Sequence, residues 1–230
     1  MPPRPTAPPQ LQTAPAPLRE FVDTLLTLDV EEPWAELDGV KQGGPAPWRP
    51  PNSYTLVKGP LELDGNMLVE FAGQDQGVLV VFGDVTCQNL FVGAGFSFVC
   101  TGTLRVREAL VARSPDSVTY AAGVVEAELV DSGSGAWLTL FGDASQLHAK
   151  HLTHYVMNGR TVIKSQKPPD LRTLVVPEVL DTEEWDSLSP EEQADEAPEV
   201  LIKLDARAVW KRLASGASLF LAPKNVRHAC

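Results

Sequence analysis

VLVVFGDVTCQNLFV (78–92) and FVCTGTLRVREALV (98–111) decide how this chain folds. Each opens on an alternating apolar run, passes a glycine and resumes the alternation. VTYAAGVVEAELV (118–130) and WLTLFGDASQLHAKHL (137–152) align on the same phase. The phased glycines are Gly83, Gly102, Gly123 and Gly142, spaced 19, 21 and 19 residues apart. YTLVKGPLEL supplies an earlier turn with Gly59, joined by the longer excursion DGNMLVEFAGQDQG. A period near ~20 residues with short β runs is the pattern of a solenoid, whose single coil cannot bury its apolar face until others stack on it. Glycine at each corner admits φ > 0. Alternation sends Val80, Val85, Leu104, Val106 and Val124 toward one face. The polar bends GAGFS, RSPDS and DSGSG close the coils. An antiparallel sandwich also shows short strands with frequent turns, but it does not require a glycine at constant phase. No apolar position recurs every six residues, which argues against a hexapeptide acyltransferase. The expected fold is mainly β: a parallel β-solenoid (β-helix) over residues 54–158.

The flanks read differently. Residues 1–17 hold seven prolines and predict a PPII-like tail. Leu18, Phe21, Val22, Leu25 and Leu28 repeat at helical spacing until Pro33. Residues 18–53 are thus expected to form an N-terminal helical cap over the open coil end, followed by a Gly/Pro-rich loop at 39–52. Trp34 and Trp48 are placed to dock that loop onto the cap. Residues 159–230 predict a small α+β C-terminal region. There Ser189, Pro190 and Glu192 spell a capping box, and a helix runs from its N-cap Asp205 to Ser215, closed by Gly216.

The chain has 230 residues and a formal net charge of −11. That balance disfavours nucleic acid and anionic membranes, which need clustered Lys and Arg. Residues 178–199 carry ten acids and no Lys or Arg, so nearly all the net charge sits there. Such a block is a solvated face or a surface that steers a basic partner. Trp185 and Leu188 inside it are apolar anchors of the kind an interface uses. Glu183, Glu184, Trp185, Asp186, Glu191 and Glu192 are therefore the expected partner contacts. MPPRPTAPPQ has no apolar signal core and no stretch reaches about 18 apolar residues, so the expectation is a cytoplasmic protein without a membrane span.

Catalytic motifs are weak. His148, His151 and His154 suggest a zinc triad on paper, but strand geometry sends i and i+3 to opposite sides. No acidic base accompanies them, so no metal and no cofactor is expected. Gly83–Asp84 and Gly142–Asp143 are better read as turn aspartates bonding their own backbone than as a Ca²⁺ ladder. Cys87 and Cys100 lie in apolar runs, without the electropositive surroundings that activate a thiol, and Cys230 reads as adventitious. GAG at 93–95 and GSG at 133–135 are too short for phosphate loops, and Ser97 and Ser114 lack a nucleophile elbow. The sequence predicts no enzyme.

Two features taken together, the glycine-phased coils (VVFGDVTCQNLFV, TGTLRVREALV) and the ending VVPEVLD, acidic stretch and RLASGASLF, resemble bacterial β-solenoid proteins of the polymorphic-toxin immunity type. The resemblance covers about residues 54–222 and implies non-catalytic protein binding, with occlusion of a basic toxin as the role. It transfers no functional residue. The solenoid part also resembles bactofilins, the polymer-forming bacterial cytoskeletal proteins, which implies a filament or scaffold. The acidic block and C-terminal helix depart from the bactofilin pattern of a bare solenoid between tails.

Overall fold

The computed structural model describes residues 11–12, 14–27, 33–70, 76–112, 117–132, 137–140, 146–153, 155–158, 161–165 and 167–222. Gly142, Asp143, His154, Cys230, Ser114, the GSG bend and most of the proline-rich stretch lie outside them.

A parallel β-solenoid of about five turns forms the body of the protein. Its first, incomplete coil is β1 (Ala35–Leu37) and β2 (Val40–Gln42). Three coils with three strands each follow: β3 (Tyr54–Val57), β4 (Leu61–Leu63), β5 (Met67–Val69); β6 (Gly77–Val81), β7 (Val85–Cys87), β8 (Leu90–Val92); and β9 (Phe96–Cys100), β10 (Leu104–Val106), β11 (Ala109–Val111). In the next coil β12 (Val118–Ala121) is followed by β13 (Val125–Asp131), one long strand that pairs with β10 through its first half and β11 through its second. β14 (Trp137–Leu140) and β15 (Leu147–Leu152) form the last coil. Finally β16 (Tyr155–Asn158) pairs parallel to β14, and β17 (Thr161–Lys164) turns back antiparallel onto β16.

This stacking produces three faces. The first is β1-β3-β6-β9-β12-β14-β16. The second runs β2-β4-β7-β10 into the first half of β13 and then β15, and the third β5-β8-β11 into the second half. Leu79, Val81, Val85, Cys87, Leu90, Phe98, Leu104 and Val106 point inward into one core. Val80, expected among them, points out of the first face instead, because the inward residues of β6 are Leu79 and Val81. The solenoid also starts earlier than the sequence pattern suggests. β1 and β2 pair in register with β3 and β4, so part of the stretch expected as loop is already a coil. Trp48 is buried in the solenoid core, where it bridges Met67, rather than docking a loop onto a helix.

Gly83 has the positive φ expected of a corner glycine, at 157°, but the others have a different cause. Gly59, Gly102 and Gly123 are absent from the positive-φ set. What they need is proximity: a Cβ on Gly59 would lie 2.4 Å from the Asp38 carbonyl oxygen, one on Gly102 2.6 Å from the Gly83 backbone, and one on Gly123 2.5 Å from the Gly102 carbonyl. Each coil turns its corner directly on the preceding coil's glycine. Asp84 spans the same gap, its Oδ1 accepting the Thr103 N–H of the next coil at 2.8 Å rather than its own turn.

Two faces are clothed and one is not. On the first face Leu56, Val78, Val80, Phe82 and Val99 point outward and pack under Leu18, Val22, Leu25 and Leu26 of α1 (Ala16–Leu26). The helix expected as an end cap therefore lies along a flank, because that flank is where the solenoid leaves apolar side chains uncovered. On the third face Leu68, Phe91, Ala109, Val111 and Leu129 are covered by Leu171, Val175, Val179, Leu204, Val209, Leu213 and Leu219. Val209 and Leu213 come from α5 (Ala206–Ala214), Leu204 from β19 (Lys203–Leu204), and the others from the segments before and after them; between lie β18 (Leu180–Asp181) and the short helices α2 (Glu183–Asp186), α3 (Pro190–Asp195) and α4 (Pro198–Leu201). β18 and β19 pair antiparallel. Asp205 caps α5 by accepting the Ala208 N–H at 2.8 Å, and the Ser189–Glu192 capping box forms on α3.

A buried polar column fastens this cover. Asn89 Nδ2 donates to Asn66 Oδ1 at 3.0 Å and to Glu108 Oε2 at 2.8 Å, while its Oδ1 accepts the Ala109 N–H at 2.9 Å. Asn66 Nδ2 in turn donates to the carbonyls of Leu213 and Ala217 at 3.0 and 3.2 Å, and Ser218 Oγ donates to Glu108 at 2.8 Å. Solenoid corner and α5 terminus thus share one satisfied network.

Candidate functional surfaces

The acidic block, residues 178–199, is tied to the other C-terminal elements, and the fold separates most of its acids into two groups. Several are engaged internally. Glu184 meets Lys203 at 3.0 Å, Glu178 meets Arg212 at 3.7 Å and Glu199 meets Lys167 at 3.7 Å. Asp186 accepts the Thr182 hydroxyl at 2.6 Å. Glu192 accepts the Ser189 N–H at 2.8 Å, and this hydrogen bond holds its carboxyl below the usual range. Glu183, Glu191, Asp195 and Glu196 are exposed and have no cationic partner among the described residues. Trp185 is half-buried, with the Arg172 guanidinium 5.3 Å from its ring centroid. Arg172 also forks onto Asp170, Nε to Oδ1 at 3.0 Å and Nη2 to Oδ2 at 2.8 Å, which lowers the Asp170 carboxyl. One face of the expected aromatic anchor is thus already occupied.

The second face carries a charge ladder that sequence reading missed. Strand register aligns Lys41, Glu62, Thr86, Arg105, Glu126 and His148 in one outward row. Lys41–Glu62 (3.1 Å) and Arg105–Glu126 (2.7 Å) close along it, and Lys150–Glu128 (2.6 Å) closes beside it. Its signal was available: β4, β7 and β10 alternate buried and exposed or half-exposed residues, whereas β5, β8 and β11 are buried throughout. Strands covered on both sides lose alternation, and half-exposed ones keep it.

The histidines diverge. His148 pairs in register with Glu126 on the second face, and His151 with Leu129, which points out of the third. They border different clefts. No group of three metal-type side chains stands together among the described residues. Cys87 and Cys100 are fully buried, and desolvation pushes both thiols up to about 12.

A further cleft of about 400 Å³ lies between α5 and the third face, lined by Glu70, Phe91, Ala94, Ala206, Arg207 and Trp210. Burial raises the Glu70 carboxyl, partly offset by Arg49. Arg49 itself stacks over Trp210 at 5.3 Å.

No family model, curated protein or solved structure matches this chain. No described helix is long and apolar enough to cross a membrane.

Proposed function

We propose that this protein is a non-catalytic protein-binding module of the immunity type, which occludes a basic partner such as a toxin with its acidic flank. The observation that carries the reading is the surplus of exposed acids without cationic partners among the described residues, Glu183 and Glu191 foremost, on short helices tied by ion pairs to the C-terminal cover. Preformed charge of one sign accelerates encounter with an oppositely charged protein and costs little ordering on binding. Glu184, Trp185, Asp186 and Glu192 frame that surface from the same helices. Their internal bonds keep it in shape.

Affinity capture with the wild type and with Glu183→Lys/Glu191→Lys tests this. The two positions are exposed, so the exchange leaves folding intact. A basic protein retained by the wild type and released by the variant is expected. Equal retention by both moves the contact elsewhere.

A scaffold of the bactofilin kind is the second reading. Its supporting observation is that β2 and β15 each have one strand partner among the described residues, leaving edges on which coils of another copy can stack. The reversal of β17 on the first face works against continued parallel stacking.

A further inference from the structure

Glu70 is a half-buried carboxylate with no side-chain hydrogen bond and no ion pair to another described residue, and Arg49 acts on it only from farther away. Its side chain lies across Gly93, where a Cβ would come within 2.9 Å of Glu70 Cγ. Glycine at 93 therefore makes room for the acidic arm. Arg207, on the first turn of α5, is exposed and also lacks an ion pair among the described residues. The same cleft is lined by Phe91, which is almost wholly buried, and by the half-buried Trp210, over one face of which Arg49 lies. A lone cation is disfavoured there by Arg49 and Arg207, and a lone anion by Glu70. A ligand that carries both charges satisfies both ends.

We propose that this cleft binds an apolar zwitterion, an α-amino acid or a short peptide, with its ammonium on Glu70, its carboxylate on Arg207 and its side chain on Phe91 and Trp210. The burial that raises the Glu70 carboxyl disfavours its charged form, and an ammonium docked against it offsets that by favouring the carboxylate. This site is separate from the acidic flank and stands or falls independently of it.

Calorimetric titration of the full chain with L-leucine, L-leucyl-L-leucine and the uncharged N-acetyl-L-leucinamide tests the assignment. The first two separate free amino acid from peptide. Saturable binding of at least one zwitterion is expected, with none of the neutral analogue. Glu70→Gln and Arg207→Gln should each weaken it by about tenfold or more, the loss expected for a hydrogen bond to a charged group. Arg207 is exposed and Glu70→Gln keeps the shape of the half-buried side chain, so an unchanged melting temperature is expected and confirms the fold. The proposal is overturned if neither zwitterion saturates below about 10 mM, where binding energy falls under that of two such contacts. Equal binding of the neutral analogue, or wild-type affinity in either variant, overturns it as well.

Discussion

Gly102 sits so close to the coil below that a methyl group there would lie 2.4 Å from Asp84 Oδ1 and 2.6 Å from the Gly83 backbone. Gly102→Ala is therefore expected to destabilise the protein by about 1–3 kcal/mol, the usual cost of overpacking. Gly43→Ala, whose Cβ meets nothing nearer than 3.6 Å, should be close to neutral. Chemical denaturation of the pair checks this, and equal losses would refute close coil contact as the reason for the glycine. Asn89 is fully buried and bonded three ways. Asn89→Ala orphans the Ala109 N–H and should cost about 1–3 kcal/mol for each polar group left unpaired. The phase of the glycines was legible in the sequence. Their cause was not, because a contact between residues about 20 apart leaves no trace in local conformation. The Asn66–Asn89–Glu108 column escaped for a related reason: its members differ in type, so alignment by identity does not reveal them. The two cysteines make a further test. The unfolded chain releases thiol protons near 9.0, whereas the fold holds them to about 12. Their contribution to stability is thus complete below the lower value and is lost as pH rises through that window. Cys87 and Cys100 should resist thiol reagents in the native protein near neutral pH and react only on unfolding, a test made on a Cys230→Ser background so that only these two thiols are read.

At the scale of elements, alternation and its absence carry the architecture. LEL, VTC and LRV alternate because one side faces solvent, and MLV, LFV and ALV do not because α5 and its neighbours cover them. The sequence thus contained the position of the cover, and the helical period of α1 was equally plain. Which surface each element meets was not, since amphipathic periodicity names a buried stripe without naming its partner. Val22 is fully buried between α1 and the first face. Val22→Asp places an unpaired carboxylate there and should release α1 while the coils persist. Limited proteolysis would then cut within 16–27 and leave the solenoid whole; simultaneous loss of both would show that α1 is integral to the coil stack. For the acidic flank, sequence supplied the charge and the α3 capping box, but not the internal pairs of Glu184, Glu178 and Glu199. Those depend on Lys203, Arg212 and Lys167, which fall outside the acidic run.

For the whole molecule, the arrangement is a prism with two apolar sides covered and one charged side open. The open side has its acids and bases paired along the register, so it is self-neutralising, while uncompensated negative charge concentrates on the C-terminal cover. Light scattering across a concentration series should give one fixed mass for the binding module. Mass that climbs with concentration would shift the account to the scaffold. The claim that matters most is that the acidic flank attracts the partner. Its direct test is the association rate of the captured partner with wild type and with Glu183→Lys/Glu191→Lys, measured from low to high salt. At low salt the variant should associate about tenfold or more slowly, and the rates should converge as screening shortens the reach of the charges to a few ångströms. Identical rates and identical salt dependence would contradict the account and free the acidic flank of any role in binding.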